Sequence, residues 1–278
     1  MTPITFSAIV FLVSILAGLV GALTGLGGGI VVTPALTLLL GVDIRYAIGA
    51  SLVSVIATSS GAASGYVRDG LSNIRIGMFL EIATTIGAIC GALLASHTPT
   101  RALAILFGAV LLQSAWQVTR MKNEAGRVVH FDDFAAKLRL GGIYHSLDGM
   151  VPYQAMRAKA GFAMMYVAGM VSGLLGIGSG ALKVIAMDSI MGLPFKVSTA
   201  TSSFMIGVTG VASAAIYIKR GYIHPMIALP VMLGVLAGSM VGARLMPKLP
   251  VQQLRRFFAV AVALIAIQMI LQGIRGRM

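Results

Sequence analysis

Two glycine-rich strings set the architecture of this chain: Gly25-Leu-Gly-Gly-Gly29 in the first half and Gly176-Ile-Gly-Ser-Gly180 in the second. Each string follows a long apolar run and precedes a short one, residues 30–40 or 181–191. A helix needs about 20 residues to cross a bilayer untilted. The short runs are therefore predicted to be half-helices or re-entrant segments.

An internal duplication relates the two strings. Sliding the sequence by 151 residues superimposes them, and the register continues without insertion from the first run to the last. Duplicated halves around a central site are typical of secondary transporters. Among the matched pairs are Gly18 with Gly169, Gly41 with Gly192, Ser51 with Ser202, Thr58 with Thr209, Gly87 with Gly238, and Gly91 with Gly242.

The composition indicates an integral membrane protein. Hydrophobic residues make up 58% of the chain and charged residues 10%, whereas a soluble domain carries about 25% charged residues. The sequence thus predicts an all-α polytopic membrane protein with two repeated halves, eight long spans and two short half-helices. We expect the first run to be retained as a membrane segment. The predicted spans are residues 4–24, 46–67, 76–95, 102–119, 160–175, 197–218, 226–243 and 257–272.

The organisation is predicted as a first repeat (residues 1–119), a basic loop (120–159) and a second repeat (160–278). Excess Lys and Arg place the loop in the cytoplasm by the positive-inside rule. If the short segments count as spans, each half has five and the repeats are inverted. The basic turn with Arg244, Lys248, Arg255 and Arg256 favours inversion, whereas Lys219 and the tail charges favour parallel repeats.

The glycine strings are also the leading candidates for a binding site. Glycine lets backbone approach a ligand closely, and the first turn of a helix offers free N–H groups and partial positive charge to an anion. Close packing through small residues is the alternative explanation for either string taken alone. The duplication favours an anion site near the middle of the membrane, with candidates Gly27, Gly28, Gly29, Gly178, Ser179 and Gly180.

Three charged residues in apolar surroundings could serve such a site. Lys183 is interpreted as a counter-charge to the anion, with a pair to Asp188 or an interfacial position as alternatives, because charges inside a membrane are costly. Asp188 either ends the half-helix or exchanges protons. Glu81 is a candidate proton carrier, although its closeness to Arg75 favours an interfacial position.

Hydroxyl groups crowd the helix that follows each short segment. They can replace the hydration shell of an oxyanion, or they can bond their own helix backbone. The duplicated pairs Ser51 with Ser202 and Thr58 with Thr209 are the preferred candidates. The sequence shows no phosphate loop, no His-Glu-x-x-His and no nucleic-acid-binding face, so no catalytic residue, metal, cofactor or nucleic-acid partner is predicted.

The second-half strings Gly176-Ile-Gly-Ser-Gly-Ala-Leu-Lys-Val184, Met191-Gly-Leu-Pro-Phe-Lys-Val197 and Ala200-Thr-Ser-Ser-Phe-Met-Ile-Gly207 resemble the sulfite exporter TauE/SafE family, as does Gly25 to Gly29 with Pro34. The resemblance implies a carrier in the plasma (inner) membrane that moves sulfite, sulfoacetate or other organosulfonates, with export as the expected direction. Ser179 stands where the family usually has glycine, and Ile185 where it commonly has proline.

Other function classes remain open from sequence. An anion channel or a non-transporting membrane scaffold would show the same apolar runs, whereas an enzyme has no nucleophile and base to support it. The expected partners are a small anionic substrate and the lipid bilayer, and a homo-oligomer is left open.

Overall fold

A computed structural model describes residues 3–24, 28–68, 70–120, 132–146, 149–245 and 251–275. Long helices occupy all eight predicted runs, and their bounds repeat at the predicted offset. The first half comprises α1 (Pro3–Thr24), α2 (Gly29–Pro34), the π-helical turn π1 (Ala35–Leu39), α3 (Ile44–Arg68), α4 (Ile74–Ala95) and α5 (Thr100–Arg120). The second half comprises α7 (Ala158–Leu175), α8 (Gly180–Ile185), the π-helical turn π2 (Ala186–Ile190), α9 (Phe195–Lys219), α10 (Pro225–Leu245) and α11 (Val251–Arg275).

Six of the long helices have the length and apolar composition to cross a bilayer: α1, α3, α4, α7, α9 and α10. In α5 and α11 the apolar parts found among the described residues, Thr100–Trp116 and Val262–Arg275, are shorter. The chain is thus a mostly helical, multi-pass membrane protein. That all eight long helices span the membrane, and that the repeats are inverted, stay predictions.

The two short segments have the predicted length. Each is a six-residue α-helix followed by a five-residue π-helical turn, 29–39 in the first half and 180–190 in the second. The π turn begins directly after Pro34 in one half and directly after Ile185 in the other. The second segment therefore has the same secondary structure as the first, although Ile185 stands at its repeat position in place of Pro34.

Each half packs into the other rather than onto itself. Helix α1 lies against α10 and α4 lies against α7, while α3 packs on α9 and α5 on α11. Glycines make the first two contacts close: a Cβ on Gly91 would meet the backbone of Met170 and Leu174, and one on Gly242 would meet that of Leu19. For these glycines, close helix packing is the explanation.

The central segment departs from the all-α prediction. After the short helix α6 (Asp133–Lys137), strands β1 (Gly141–Ser146) and β2 (Gly149–Gln154) form an antiparallel hairpin. Aromatic and β-branched residues around Gly149 favour strands here, a signal that the glycine and proline breakers obscured. Ala135, Leu140 and Ala155 are buried in one cluster with Ile76 of α4 and Met191, so this segment docks on the helices.

Candidate functional site

The two glycine strings meet inside the protein. Ser51, on α3, lies within hydrogen-bond distance of two backbone carbonyl oxygens: that of Gly29 at 3.1 Å and that of Gly176 at 2.8 Å. The first belongs to one string and the second to the other. Ser51 is fully buried, and its hydroxyl lies between the two glycine strings inside the protein.

The second string uses a backbone conformation that favours glycine. Gly176 and Gly178 have φ values of +66° and +70°, and Ser179 has φ of +43°. An L side chain in this left-handed region is strained unless its surroundings hold it there. This strain explains why the family that the sequence resembles usually has glycine at the position of Ser179. The Ser179 hydroxyl is buried and has no hydrogen-bond partner among the described residues.

Lys183, on α8, is the charged centre of the site. Its side chain is 0% exposed, and its Nζ donates to Thr209 Oγ1 at 2.5 Å. Thr209 Oγ1 in turn lies 2.7 Å from Glu81 Oε1 and 2.9 Å from the carbonyl oxygen of Met205. The Lys183 Nζ is 3.9 Å from Glu81 Oε2. The partner of the lysine is therefore Glu81, on α4 of the other half.

Glu81 is buried inside the protein. It is 6% exposed, and its Oε1 also accepts from Thr85 at 3.1 Å. Its second oxygen, Oε2, has no hydrogen-bond partner among the described residues. Glu81 is thus buried within the protein, and its position relative to the membrane surface stays a prediction. One turn and a half of helix separates Glu81 from Arg75, and the packing of α4 against α7 and α9 covers the carboxylate.

The remaining predicted residues surround this centre without joining it. Ser202 Oγ lies 3.4 Å from the carbonyl oxygen of Gly180, repeating the contact of Ser51 with Gly29. Thr58 Oγ1 donates to the carbonyl oxygen of Ser54. Asp188 lies in π2. Gly27 is outside the described residues.

The charged centre has no counterpart in the first half. The repeat places Val32 where the second half has Lys183, and Met232 where the first half has Glu81. Val32 is 2% exposed, in an apolar cluster with Leu36 and Val235. Backbone geometry is thus duplicated, whereas the charges of Lys183 and Glu81 are not repeated at the equivalent positions of the other half.

The strings are close-packed in this conformation. A Cβ on Gly29 would lie 2.5 Å from Val55 and 2.6 Å from the Ser51 hydroxyl, and one on Gly28 would lie 2.9 Å from Val235. The described glycines, the hydroxyls and Lys183 of the candidate site are buried in this conformation. Two open cavities of about 910 and 330 Å³ lie instead beside the central segment.

The structure also reveals a polar junction that the sequence analysis missed. The Asn73 side chain caps α4 by accepting from the Ile76 amide and donates to the Tyr153 hydroxyl and to the Gly141 carbonyl oxygen. Its backbone amide donates to Thr201 Oγ1 of α9. The hairpin is therefore bonded to the two helices that carry Glu81 and Thr209. An Asn before an apolar run is the only sequence signal for this contact.

Nothing in the described part of the chain resembles a metal or redox centre. No group of three or more His, Cys, Asp or Glu side chains comes together there. The site has the groups needed for binding. It contains one buried ammonium group, hydroxyls beside that group, and a carboxylate that competes for it. Such a centre can exchange an internal anion for an external one.

Comparisons with known proteins identify the family. The family model described as sulfite exporter TauE/SafE matches residues 10–269. The probable membrane transporter YunE of Bacillus subtilis is 28% identical, covering 96% of this chain and 98% of its own length. YdhB of the same organism, also named a probable membrane transporter, is 27% identical over 86% of this chain and 90% of its own. A probable membrane transporter of Haemophilus influenzae is 25% identical, with coverage of 96% and 99%.

No solved structure matches the chain. The family model covers almost the whole sequence, the relatives align over nearly their full lengths, and the helices are those of a multi-pass membrane protein. The chain belongs to the sulfite exporter TauE/SafE family of membrane transporters.

Proposed function

We propose that this protein is a secondary transporter of the inner membrane that exports small sulfur-containing anions, such as sulfite, sulfoacetate or other organosulfonates, by alternating access. The observation that carries the proposal is Lys183, an ammonium group with 0% exposure on the half-helix α8. A buried charge is costly in a membrane and is retained where function needs it. A sulfonate or sulfite oxygen is a suitable acceptor for an ammonium donor.

The substrate anion would lie between Lys183 and Thr209. Ser51 and Ser202 hold the backbone of the broken helices beside that position, and the Ser179 hydroxyl is a further donor without a present partner. Gly28, Gly29, Gly178 and Gly180 let backbone amides approach the anion once Val55 and Val235 withdraw. Rocking of the halves across the α1–α10 and α4–α7 contacts would open this space to one side at a time.

Flux measurements in proteoliposomes test the proposal. The wild-type protein should carry at least one of sulfite, thiosulfate, sulfoacetate, taurine and sulfate, and Lys183→Ala should lower the flux by about tenfold or more, the effect of losing a charged hydrogen bond. Exposed Lys219 is the matched control, and Lys219→Ala should keep wild-type flux. Flux of Lys183→Ala at the wild-type rate would remove Lys183 from the site.

The alternatives give different results in the same preparation. A channel would pass ionic current far faster than a carrier turns over. A scaffold would show no flux and no thermal stabilisation by any anion of the panel. Lys183→Ala leaves Glu81 without its partner, so thermal unfolding of each variant should be measured first, and the double variant Lys183→Met with Glu81→Gln separates loss of charge from loss of folding.

A further inference from the structure

The resting partner of Lys183 is a carboxylate of the protein itself. Glu81 Oε1 is connected to Lys183 Nζ through the Thr209 hydroxyl, and Oε2 lies 3.9 Å from the same nitrogen. Chemically, a carboxylate and a sulfonate are alike in offering negatively charged oxygens to one ammonium group. Glu81 therefore occupies the position that a transported anion needs.

A second anion cannot simply be added to this pair. Two like charges sharing one buried cation repel each other, and the lower dielectric inside the protein strengthens that repulsion. The repeat position of Lys183 in the first half is Val32, so the duplication supplies no second lysine to hold a second anion. When an anion binds Lys183, the charge on Glu81 has to be removed.

Resting on the proposed anion transport, we propose that Glu81 is an internal competitor for Lys183 and takes up one proton each time a sulfur anion displaces it. The proton comes from the aqueous side to which the site is open and binds a carboxylate oxygen of Glu81. Lys183 stays an ammonium ion throughout. Release of the anion restores the Lys183–Glu81 pair and returns the proton to the side of release, so proton and anion move together.

The other titratable groups on the elements around Glu81 lie farther from it. Arg75 and Cys90 of α4 are about 9 and 13 Å away along the helix axis, at 1.5 Å per residue. On α7, Lys159 lies over the Phe134 ring and Tyr166 is 37% exposed, at the level of Gly87. On α9, Lys196, Tyr217 and Lys219 are about 12 to 20 Å along the axis from Thr209.

Asp188 is the remaining acid near the centre. It follows Lys183 by five residues in the same short segment, which places it about 7.5 Å along the axis. The ion pair of Lys183 is made with Glu81. Asp188 is therefore the alternative proton acceptor that the experiment has to distinguish.

Proton uptake on binding can be measured directly on the purified full-length protein. Titration calorimetry with thiosulfate and with sulfoacetate, whose charges are constant near neutral pH, is repeated in buffers of different ionisation enthalpy. The expected result is one proton taken up per anion bound, with the wild-type Kd rising about tenfold per pH unit on the alkaline side. Binding without proton uptake would overturn the proposal while leaving anion binding intact.

Variants assign the proton to Glu81. Glu81→Gln mimics the protonated acid, so it should bind the anion with a Kd that no longer changes with pH and with no proton uptake. Glu81→Asp should restore both, and exposed Asp43→Asn should behave as wild type. Loss of proton uptake in Asp188→Asn but not in Glu81→Gln would overturn the assignment. If no anion of the panel binds the wild type at any pH, the proposed function itself fails.

Discussion

The Thr209 hydroxyl is the point at which the two charged side chains of the site meet. It accepts from Lys183 and, having one hydrogen, donates to either Glu81 or the backbone of its own helix. Its repeat counterpart, Thr58, donates to the Ser54 carbonyl oxygen of its own helix. A threonine thus positions two charged side chains in the second half, whereas the equivalent threonine in the first half donates a hydrogen bond to its own helix backbone.

Replacing Thr209 should separate these two roles. Thr209→Val keeps the shape of the side chain and removes the hydroxyl, so anion flux should fall by about tenfold, as expected from a charged hydrogen bond worth about 1.5 kcal/mol. Thr209→Ser should retain flux, and Thr58→Val, the matched control, should change it little. Equal losses in Thr209→Val and Thr58→Val would assign the effect to helix packing.

The sequence indicates Lys183, Glu81 and Thr209 as separate candidates, but it does not predict that they meet. A lysine after a glycine string in an apolar run identifies Lys183, because only function or a partner justifies such a charge. Its partner could not be predicted, since Glu81 is distant in sequence and no register of the repeat connects the two. Asp188, near in sequence, was the natural candidate, and the packing of α4 on α9 selected Glu81 instead.

The helices that carry the site are held by glycine contacts. On α4, Gly87 and Gly91 face the backbone of α7, and Gly169 and Gly173 of α7 face that of α4. The duplicated glycines of α1 and α10 repeat this arrangement. Such contacts bring helix backbones together without side chains between them, which in lipid is a main source of association.

Adding one methyl group to this interface should destabilise the protein. The Cβ of Gly91→Ala would meet backbone atoms of Met170 and Leu174, which cannot move aside as a flexible side chain can. We expect a loss of about 1–3 kcal/mol, typical of overpacking, seen as a lower unfolding temperature in detergent. Gly61→Ala is the control, because its Cβ would lie 3.4 Å from Ser239 Oγ, and it should unfold like wild type.

One carboxylate joins the start of the central segment to the start of α7. Asp132 accepts from the amides of Phe134 and Ala135 at the start of α6 and from the amide of Ala158 at the start of α7. These bonds, with that of Ala158 first, lower the pKa of Asp132 below its usual 3.8. A lowered pKa in the folded state means that the contribution to stability is present above pH 3.8 and is lost as the pH falls below it.

Asp132→Ala should therefore loosen the segment at neutral pH and have little effect in acid. Loss of the cap is worth about 1 kcal/mol, so the amides of residues 134–140 should exchange faster in hydrogen exchange, corrected for intrinsic rates. Below the usual pKa of 3.8 the wild type should approach the variant. Neighbouring exposed Asp133→Ala should keep wild-type exchange, and an unchanged rate in Asp132→Ala would show that apolar contacts alone dock the segment.

Both halves of the molecule contribute helices to the site. The long helices pair across the duplication, α1 with α10 and α4 with α7, so neither repeat has a core of its own. The prediction of two repeats and their offset came from a rigid register of glycines, a signal that survives when other positions diverge. Their interleaving could not be predicted, because apolar faces in lipid show no preference for a partner.

Inversion of the repeats is the prediction that concerns the molecule as a whole. Gly70 and Gly221 are repeat equivalents that follow α3 and α9, and a Cβ on either would meet nothing within 4 Å. In a Cys90→Ala background, Gly70→Cys and Gly221→Cys leave every charge that sets topology in place; their left-handed φ costs about 1–2 kcal/mol.

An impermeant maleimide should label one of these cysteines in right-side-out vesicles and the other in inside-out vesicles. Leu138→Cys lies in the central segment that the sequence predicts to be cytoplasmic, so it should label only in inside-out vesicles. Labelling of both glycine positions from one side would establish parallel repeats, and the half-helices would then enter and leave the membrane on the same side.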